Sequence, residues 1–311
     1  AAYDNNSDAY DDFPEGEHYL QLSQTERDMV DMVCSNFDNV IVVYNGANQF
    51  ELGFADEYPQ IKSVVWCPGT GNVGFNALGK VFSGEVNPSG KTPDTFIYDM
   101  TTAPWWNNAE KTEYTNLADM AVEGMNAGTA QVYAPAFTNY VEGIYVGYKY
   151  YETAAQESAI DYDKTVQYPF GYGLTYGTIS YSGAKTEQET SAVLDDVTVC
   201  TKVKNESAYP LHESVEVYVK YKNAQPGEPG FQLKGIACVE LQAGEEKEVS
   251  VTLHARDFAV ITEDGGCVVR PGEYEISIGG QQPGERSRAL TGRETEILTV
   301  RKEGNEENVE Y

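Results

Sequence analysis

The sequence predicts a layered α/β/α sandwich with a mostly parallel sheet, followed by a separate antiparallel β-sandwich, and three observations carry that prediction. Up to about residue 140, amphipathic helices alternate with continuous apolar runs such as Val40–Tyr44 and Ile61–Trp66. Alternation of this kind belongs to a parallel sheet covered on both faces. Beyond Ile179 the apolar period changes to two, which marks half-buried antiparallel strands. Between these regions lies the aromatic stretch Gly143–Tyr181, which contains the run Pro169-Phe-Gly-Tyr-Gly173. Aromatic rings bury ~150–250 Å² each, which suits a rigid seam between two fold types. Gly171 and Gly173 let the backbone turn where a Cβ would clash.

Residues 1–17 are acidic and turn-rich and read as an arm. Asp4, Asn6, Asp8, Asp12 and Glu15 fall at liganding positions of a calcium-binding EF-hand loop. Ala9 stands where that turn needs glycine, Asp11 where an apolar residue belongs, and too few residues precede the loop for an entering helix. The arm therefore reads as a solvated acidic loop, and no metal is expected. Ser23-Gln-Thr-Glu26 is a capping box, in which the serine accepts from the third helical amide and the glutamate reaches back. Met29, Val30, Met32, Val33 and Phe37 continue it as one face of a helix.

The strand Val40–Tyr44 follows and ends at Asn45-Gly46. Ile61–Trp66 repeats the pattern, and Phe75, Leu78, Val81 and Phe82 recur at helical spacing. From Asn87 to Asn139 the chain is rich in Pro, Gly and Asn. A long irregular segment of that kind is usually functional or braced against a partner. It holds the adjacent Trp105 and Trp106, a pair that packs or stacks on a sugar ring.

Period-two strands are expected over Val193–Lys204, Ser214–Tyr221, Gln232–Glu240, Lys247–His254 and Glu273–Ile278, separated by turns such as Ala243-Gly244 and Pro271-Gly272. The glutamate-rich end reads as a mobile tail with one strand around Ile297–Val300. The divisions that follow are an arm (1–17), an α/β sandwich (18–142), an aromatic junction (143–178), a β-sandwich (179–282) and an acidic C-terminal tail (283–311).

Composition narrows the function. Acidic residues outnumber basic ones 49 to 21, for a net charge of −28. That field repels polyanions, so neither nucleic acid nor an anionic membrane surface is an expected partner. The N-terminal AAYDNNSDAY lacks the pattern of a signal peptide. Cys34, Cys67, Cys200, Cys238 and Cys267 are scattered without paired spacing and read as reduced structural thiols. A cytoplasmic setting is the expectation.

Two glycine-rich stretches invite a nucleotide. Gly69-Thr-Gly71-Asn-Val-Gly74 is a literal G-x-G-x-x-G between a strand and a helix. The ribose-binding acid it needs would be Asp94, yet no strand leads to that residue. Gly84–Thr92 has five residues between its glycines where a phosphate-binding loop has four. No cofactor is expected.

Both stretches fit a different pattern together. Cys67-Pro-Gly, then Gly74-Phe-Asn-Ala-Leu-Gly-Lys-Val-Phe-Ser-Gly, then Asn87-Pro-Ser-Gly-Lys-Thr-Pro resembles the sandwich-domain signature of family-3 glycoside hydrolases. The chain departs from it at Thr70-Gly71-Asn72, where the family commonly has Gln-Glu-Gly. VGYKYYET followed by YPFGYGLTYGTISY resembles the segment that joins that domain to a fibronectin type III-like domain. Gln232-Leu-Lys-Gly-Ile, Val239-Glu-Leu-Gln-Ala-Gly-Glu, His254-Ala-Arg-Asp-Phe-Ala and Pro271-Gly-Glu-Tyr are similar to that second module. The resemblance extends over about residues 18 to 280.

It implies a β-glucosidase-like enzyme acting on a carbohydrate. Retaining glycosidases use two carboxylates ~5–5.5 Å apart, one a nucleophile and one an acid/base. By resemblance the nucleophile is an aspartate on a (β/α)₈ barrel, which this sequence lacks. The acid/base glutamate belongs to a Glu-Gly-x-Asp-type loop at or before Ala1. Asp8 is the nearest match, and Glu15-Gly16 lies too close to the first helix. The chain alone is therefore expected to be inactive. His18, His212 and His254 have no nucleophile elbow beside them and read as surface or packed residues. Two other readings remain at this point: a non-catalytic carbohydrate-binding or scaffolding module using Trp105 and Trp106, and a nucleotide-binding α/β enzyme using the Gly69–Gly74 loop.

Overall fold

The computed structural model describes residues 16–106, 112–126, 129–133, 136–137 and 139–310. Asp8, Glu15 and the EF-hand-like positions lie outside them. The first helix, Gln24–Asn36, begins at the expected cap: Ser23 Oγ accepts from the Glu26 amide at 3.4 Å, and a Glu26 carboxylate oxygen accepts from the Ser23 amide at 2.8 Å. Ser23→Ala removes both the acceptor and the anchor for Glu26. It should cost about 1 kcal/mol in urea unfolding, with an unchanged slope.

Val40–Tyr44 and Ile61–Trp66 pair in parallel, with Tyr44 opposite Trp66. Val42, Val64, Tyr44 and Trp66 face a cluster built on Phe50, Leu52, Phe54 and Phe96, with Val30 of the first helix against it. A second covering layer is expected from the sequence, but the helix Phe75–Phe82 has no buried residue. Ile41 and Val43, on the opposite face of the strand, are exposed. Among the described residues the pair is thus covered on one face.

A short strand, Phe96–Ile97, pairs antiparallel with Val166–Tyr168 from the aromatic junction. Beside it a second cluster gathers Leu20, Ile97, Met100, Ala103, Tyr151 and Val166. The junction therefore completes the first domain as well as linking it to the next.

The β-sandwich has two sheets. One is ordered Thr190–Ala192, Glu296–Glu303, Gly272–Gly279, Leu211–Tyr221, Gln232–Leu241, and the other Glu246–Leu253, Val197–Asn205, Ile179–Thr186. The pairings are antiparallel except where Thr190–Ala192 runs parallel to Glu296–Glu303. Alternating valines and leucines from both sheets, with Tyr274 and Phe258, fill the space between them. The strand expected from Val193 starts at Val197, after a turn at residues 193–196.

The expectation of a tail over 283–311 needs correction. Glu285–Thr291 is helical, and Glu296–Glu303 is an interior strand of the five-stranded sheet. Val300 and Lys302 point inward there. The Lys302 amine is held by the carbonyls of Ala192 and Asp195 and sits 4.4 Å from the Phe258 ring. A buried amine satisfied by carbonyls and an aromatic face fits a core position despite its charge.

Candidate functional site

The two domains meet where Asn87–Thr92 hooks onto Pro169–Tyr176. The Thr92 amide donates to the Tyr172 carbonyl at 2.7 Å, the Gly171 amide to the Thr92 carbonyl at 2.8 Å, and the Thr92 hydroxyl to the Pro169 carbonyl at 2.7 Å. Asn87 Oδ1 accepts from the Thr175 hydroxyl at 2.7 Å and the Tyr176 amide at 2.8 Å. Gly173 is a glycine for steric reasons, since a Cβ there would lie 2.1 Å from the Gly90 carbonyl oxygen. Rings within the junction stack on one another: Tyr168 on Tyr172 at 5.1 Å and Tyr148 on Phe170 at 4.5 Å between centroids.

Charge is buried behind these rings. Glu213 and Glu216, on opposite faces of the strand Leu211–Tyr221, are almost wholly buried. One Glu213 oxygen receives Arg293 Nη1 at 3.1 Å and the Tyr181 hydroxyl at 2.9 Å, with Lys91 Nζ 3.6 Å away. Lys91 also donates to the Gly280 carbonyl at 2.7 Å, and Arg293 to the Gly173 carbonyl at 3.3 Å. Burial pushes the Lys91 amine down from its ordinary value, opposed by Glu213. The lysine of the phosphate-loop-like stretch is thus an interdomain clamp. Glu216 accepts from the Tyr218 hydroxyl at 2.6 Å, and burial raises its carboxyl to about 7. Glu152 is raised to about 7 by the same cause, with Tyr162 and Gln282 bonded to it.

The N-terminal side of the first domain holds a different arrangement. A cleft of about 350 Å³ is lined by Gln21, Leu22, Arg27, Glu51, Gly53, Phe54, Glu57 and Tyr98. Glu51 accepts from the Met100 amide at 2.7 Å and lies 3.2 Å from His18 Nε2. Burial still raises its carboxyl above the ordinary range. Four carboxyls are raised among the described residues: Glu51, Asp94, Glu152 and Glu216. Glu51 is the one that lines this cleft, a pattern associated with functional carboxyls. Nothing around it in the sequence marks it beyond its acidity.

Trp105 and Trp106 lie 6.2 Å apart at an interplanar angle of 48°. Both are partly buried against the cluster around Ile97 and Met100, and Trp106 meets the His18 ring edge-on at 4.7 Å. They brace the irregular segment against the domain. Gly69–Gly74 makes the expected turn into the helix Phe75–Phe82, with Gly69 and Gly71 at φ of 55° and 60°. Asp94, the acid a dinucleotide would need, accepts from its neighbouring Thr95 amide at 2.9 Å and is largely buried. Among the described residues no group of His, Cys, Asp and Glu side chains converges to hold a metal ion.

Residues 2–148 match the glycosyl hydrolase family 3 C-terminal domain, and residues 213–282 the fibronectin type III-like domain. The chain belongs to glycoside hydrolase family 3. Among its family-3 relatives, a beta-glucosidase from Ruminococcus albus is 30% identical over 269 residues, covering 83% of this chain and 24% of that protein. An exo-alpha-(1->6)-L-arabinopyranosidase from Bifidobacterium longum is 31% identical over 264 residues, covering 84% of this chain and 30% of its own length.

The family-3 fold is equally evident in three dimensions. A beta-glucosidase from Paenibacillus barengoltzii superposes with a TM-score of 0.73 at 25% identity, over 94% of this chain and 29% of that one. The family-3 beta-glucosidase of Bifidobacterium adolescentis gives 0.69 at 27% identity, over 91% and 36%. The chain therefore spans about a quarter to a third of the length of these family-3 proteins.

Proposed function

We propose that this chain forms the α/β-sandwich wall and fibronectin-like brace of a retaining β-glycosidase that removes terminal β-linked glucose or a similar sugar. Its nucleophilic aspartate would come from a (β/α)₈ barrel that is not among these residues. The observation that carries this reading is the family match along most of the chain, against a small share of each longer relative. The interdomain clamp supports it, because a wall must be rigid to position a reacting group.

The 311 residues alone should hydrolyse aryl β-glucosides no faster than buffer. Two-step displacement requires nucleophile and acid/base across one sugar. Positioning of that kind is worth ~7–11 kcal/mol of barrier, which half a site does not supply. The test is a nitrophenyl β-glucoside assay on highly purified chain, run beside nitrophenyl α-L-arabinopyranoside. An Asp8→Asn, Glu15→Gln double variant serves as control. Supplying the family barrel as a second polypeptide, with the Glu-Gly-x-Asp loop restored ahead of Ala1, should recover turnover. Turnover by the chain alone that the double variant loses would overturn the reading and place a catalytic carboxyl in the arm.

A further inference from the structure

A cavity of about 510 Å³ opens where the start of the helix Tyr148–Gln156 meets the edge of the β-sandwich. Its size lies within the range of small-molecule sites, ~300–1,000 Å³. Three cations from three separate segments line it: Lys149, Lys234 and Arg256. In a chain of net charge −28, that grouping runs against the composition. Most of the clamp and surface cations pair with a carboxylate, as Lys91, Lys185, Lys222 and Arg270 do. Lys149, Lys234 and Arg256 make no side-chain hydrogen bond or ion pair with any described residue.

The carboxylates of the same wall are already occupied. Glu228 accepts from Arg270 Nη1 at 2.7 Å with one oxygen and from the Gln225 amide at 2.8 Å with the other. Asp257 caps its own turn, accepting from the His254 amide at 2.8 Å, and compensates Lys234 only across space. Glu310 is exposed at the rim. Burial lowers the amines of both lysines, and Lys149 lowers Lys234 further by like-charge repulsion. The cavity therefore has an excess of hydrogen-bond donors and an incompletely neutralised pair of amines. Ile144, Pro229, Val260 and Ile261 supply an apolar side to the same space.

We propose that this cavity binds a small organic anion, whose carboxylate or phosphate head sits among Lys149, Lys234 and Arg256 and whose apolar body lies against Ile144, Pro229 and Val260. An anionic head relieves the repulsion between the amines and takes up donors that the protein leaves unpaired. A neutral sugar or alcohol lacks the charge that this donor set calls for. The inference stands apart from the glycosidase reading, since that reading assigns no binding or chemical role to Lys149, Lys234 or Arg256.

Calorimetric titration of the full chain with phenyl phosphate and with benzoate tests it, with phenol as the neutral control and inorganic phosphate as the head alone. Saturable one-to-one binding of phenyl phosphate or benzoate at millimolar concentration or below is expected, with none for phenol. Whichever of the two binds more tightly identifies the head. Lys234→Gln should weaken binding by roughly tenfold or more, since it removes a partly buried charge contact. Lys149→Gln is more accessible and keeps the test open if Lys234→Gln folds poorly; it should also weaken binding. Absence of saturable binding to wild type, or variants that fold and bind like wild type, would overturn the proposal.

Discussion

Glu213→Ala should destabilise the protein by about 3–5 kcal/mol, the usual cost of removing one partner from a buried ion cluster. The carboxylate is almost fully enclosed, and its oxygen is shared by Arg293 and Tyr181 with Lys91 close by. Alanine leaves two cations facing each other across a cavity from which water is largely excluded. Lys91 already has its amine lowered by burial, so it loses the one nearby charge that favours its ionised form most. Glu213→Gln keeps an acceptor for Tyr181 and Arg293 and should fall between wild type and alanine. Urea unfolding at neutral pH reads the difference. A loss below about 1 kcal/mol for alanine would show the cluster to be no more than a surface ion pair.

Stability should fall as pH rises from about 5 to about 8, opposite to the usual behaviour of paired carboxylates. Glu152 and Glu216 are each raised from 4.5 to about 7, chiefly by burial. A carboxyl with a raised folded value holds its proton more tightly in the native state. Its contribution is fully present below the unfolded value and is lost as pH climbs through the folded one. The loss is on the order of 3 kcal/mol per group. Glu216 faces Tyr218, Lys91, Glu213 and Arg293, while Glu152 faces Tyr162 and Gln282. The exposed carboxyls whose values are lowered, such as Glu206 and Glu248, titrate below this window. Replacing Glu152 and Glu216 together by glutamine should flatten the profile. Stability that increases from about pH 5 to pH 8 would contradict the assignment.

The parts of this fold that were legible in the sequence are those set by local patterning. Val40–Tyr44 and Ile61–Trp66 are continuous apolar runs bounded by turn residues, and both appear at those bounds. Ser23 and Glu26 announce their cap three residues apart. A strand around Ile297–Val300 is legible, but its place inside the sheet is not, because Ile297 faces solvent while Lys302 is buried. The carbonyls of Ala192 and Asp195 and the Phe258 ring explain that lysine, and the carbonyls arrive from more than a hundred residues away. The clamp was hidden for the same reason. Glu213 reads as a polar position on a strand, and its partners Lys91 and Arg293 lie in the first domain and near the last strand. Residue types predict a strand; they do not predict which distant cation will cover an inward glutamate.

The strand pairing of Phe96–Ile97 with Val166–Tyr168 has a consequence for how the chain comes together. The first domain cannot close until residue 168 is available. Arg286, which donates to the Gln167 carbonyl at 3.1 Å and the Tyr98 hydroxyl at 3.1 Å, ties it again to the helix Glu285–Thr291, which connects two strands of the sandwich. During synthesis the strands Val40–Tyr44 and Ile61–Trp66 would wait for residue 168 to complete their domain, and for Arg286 to fasten it. A nascent chain of this topology depends on delayed closure, and a stop codon shortly before Arg286 would remove a fastening of the α/β domain.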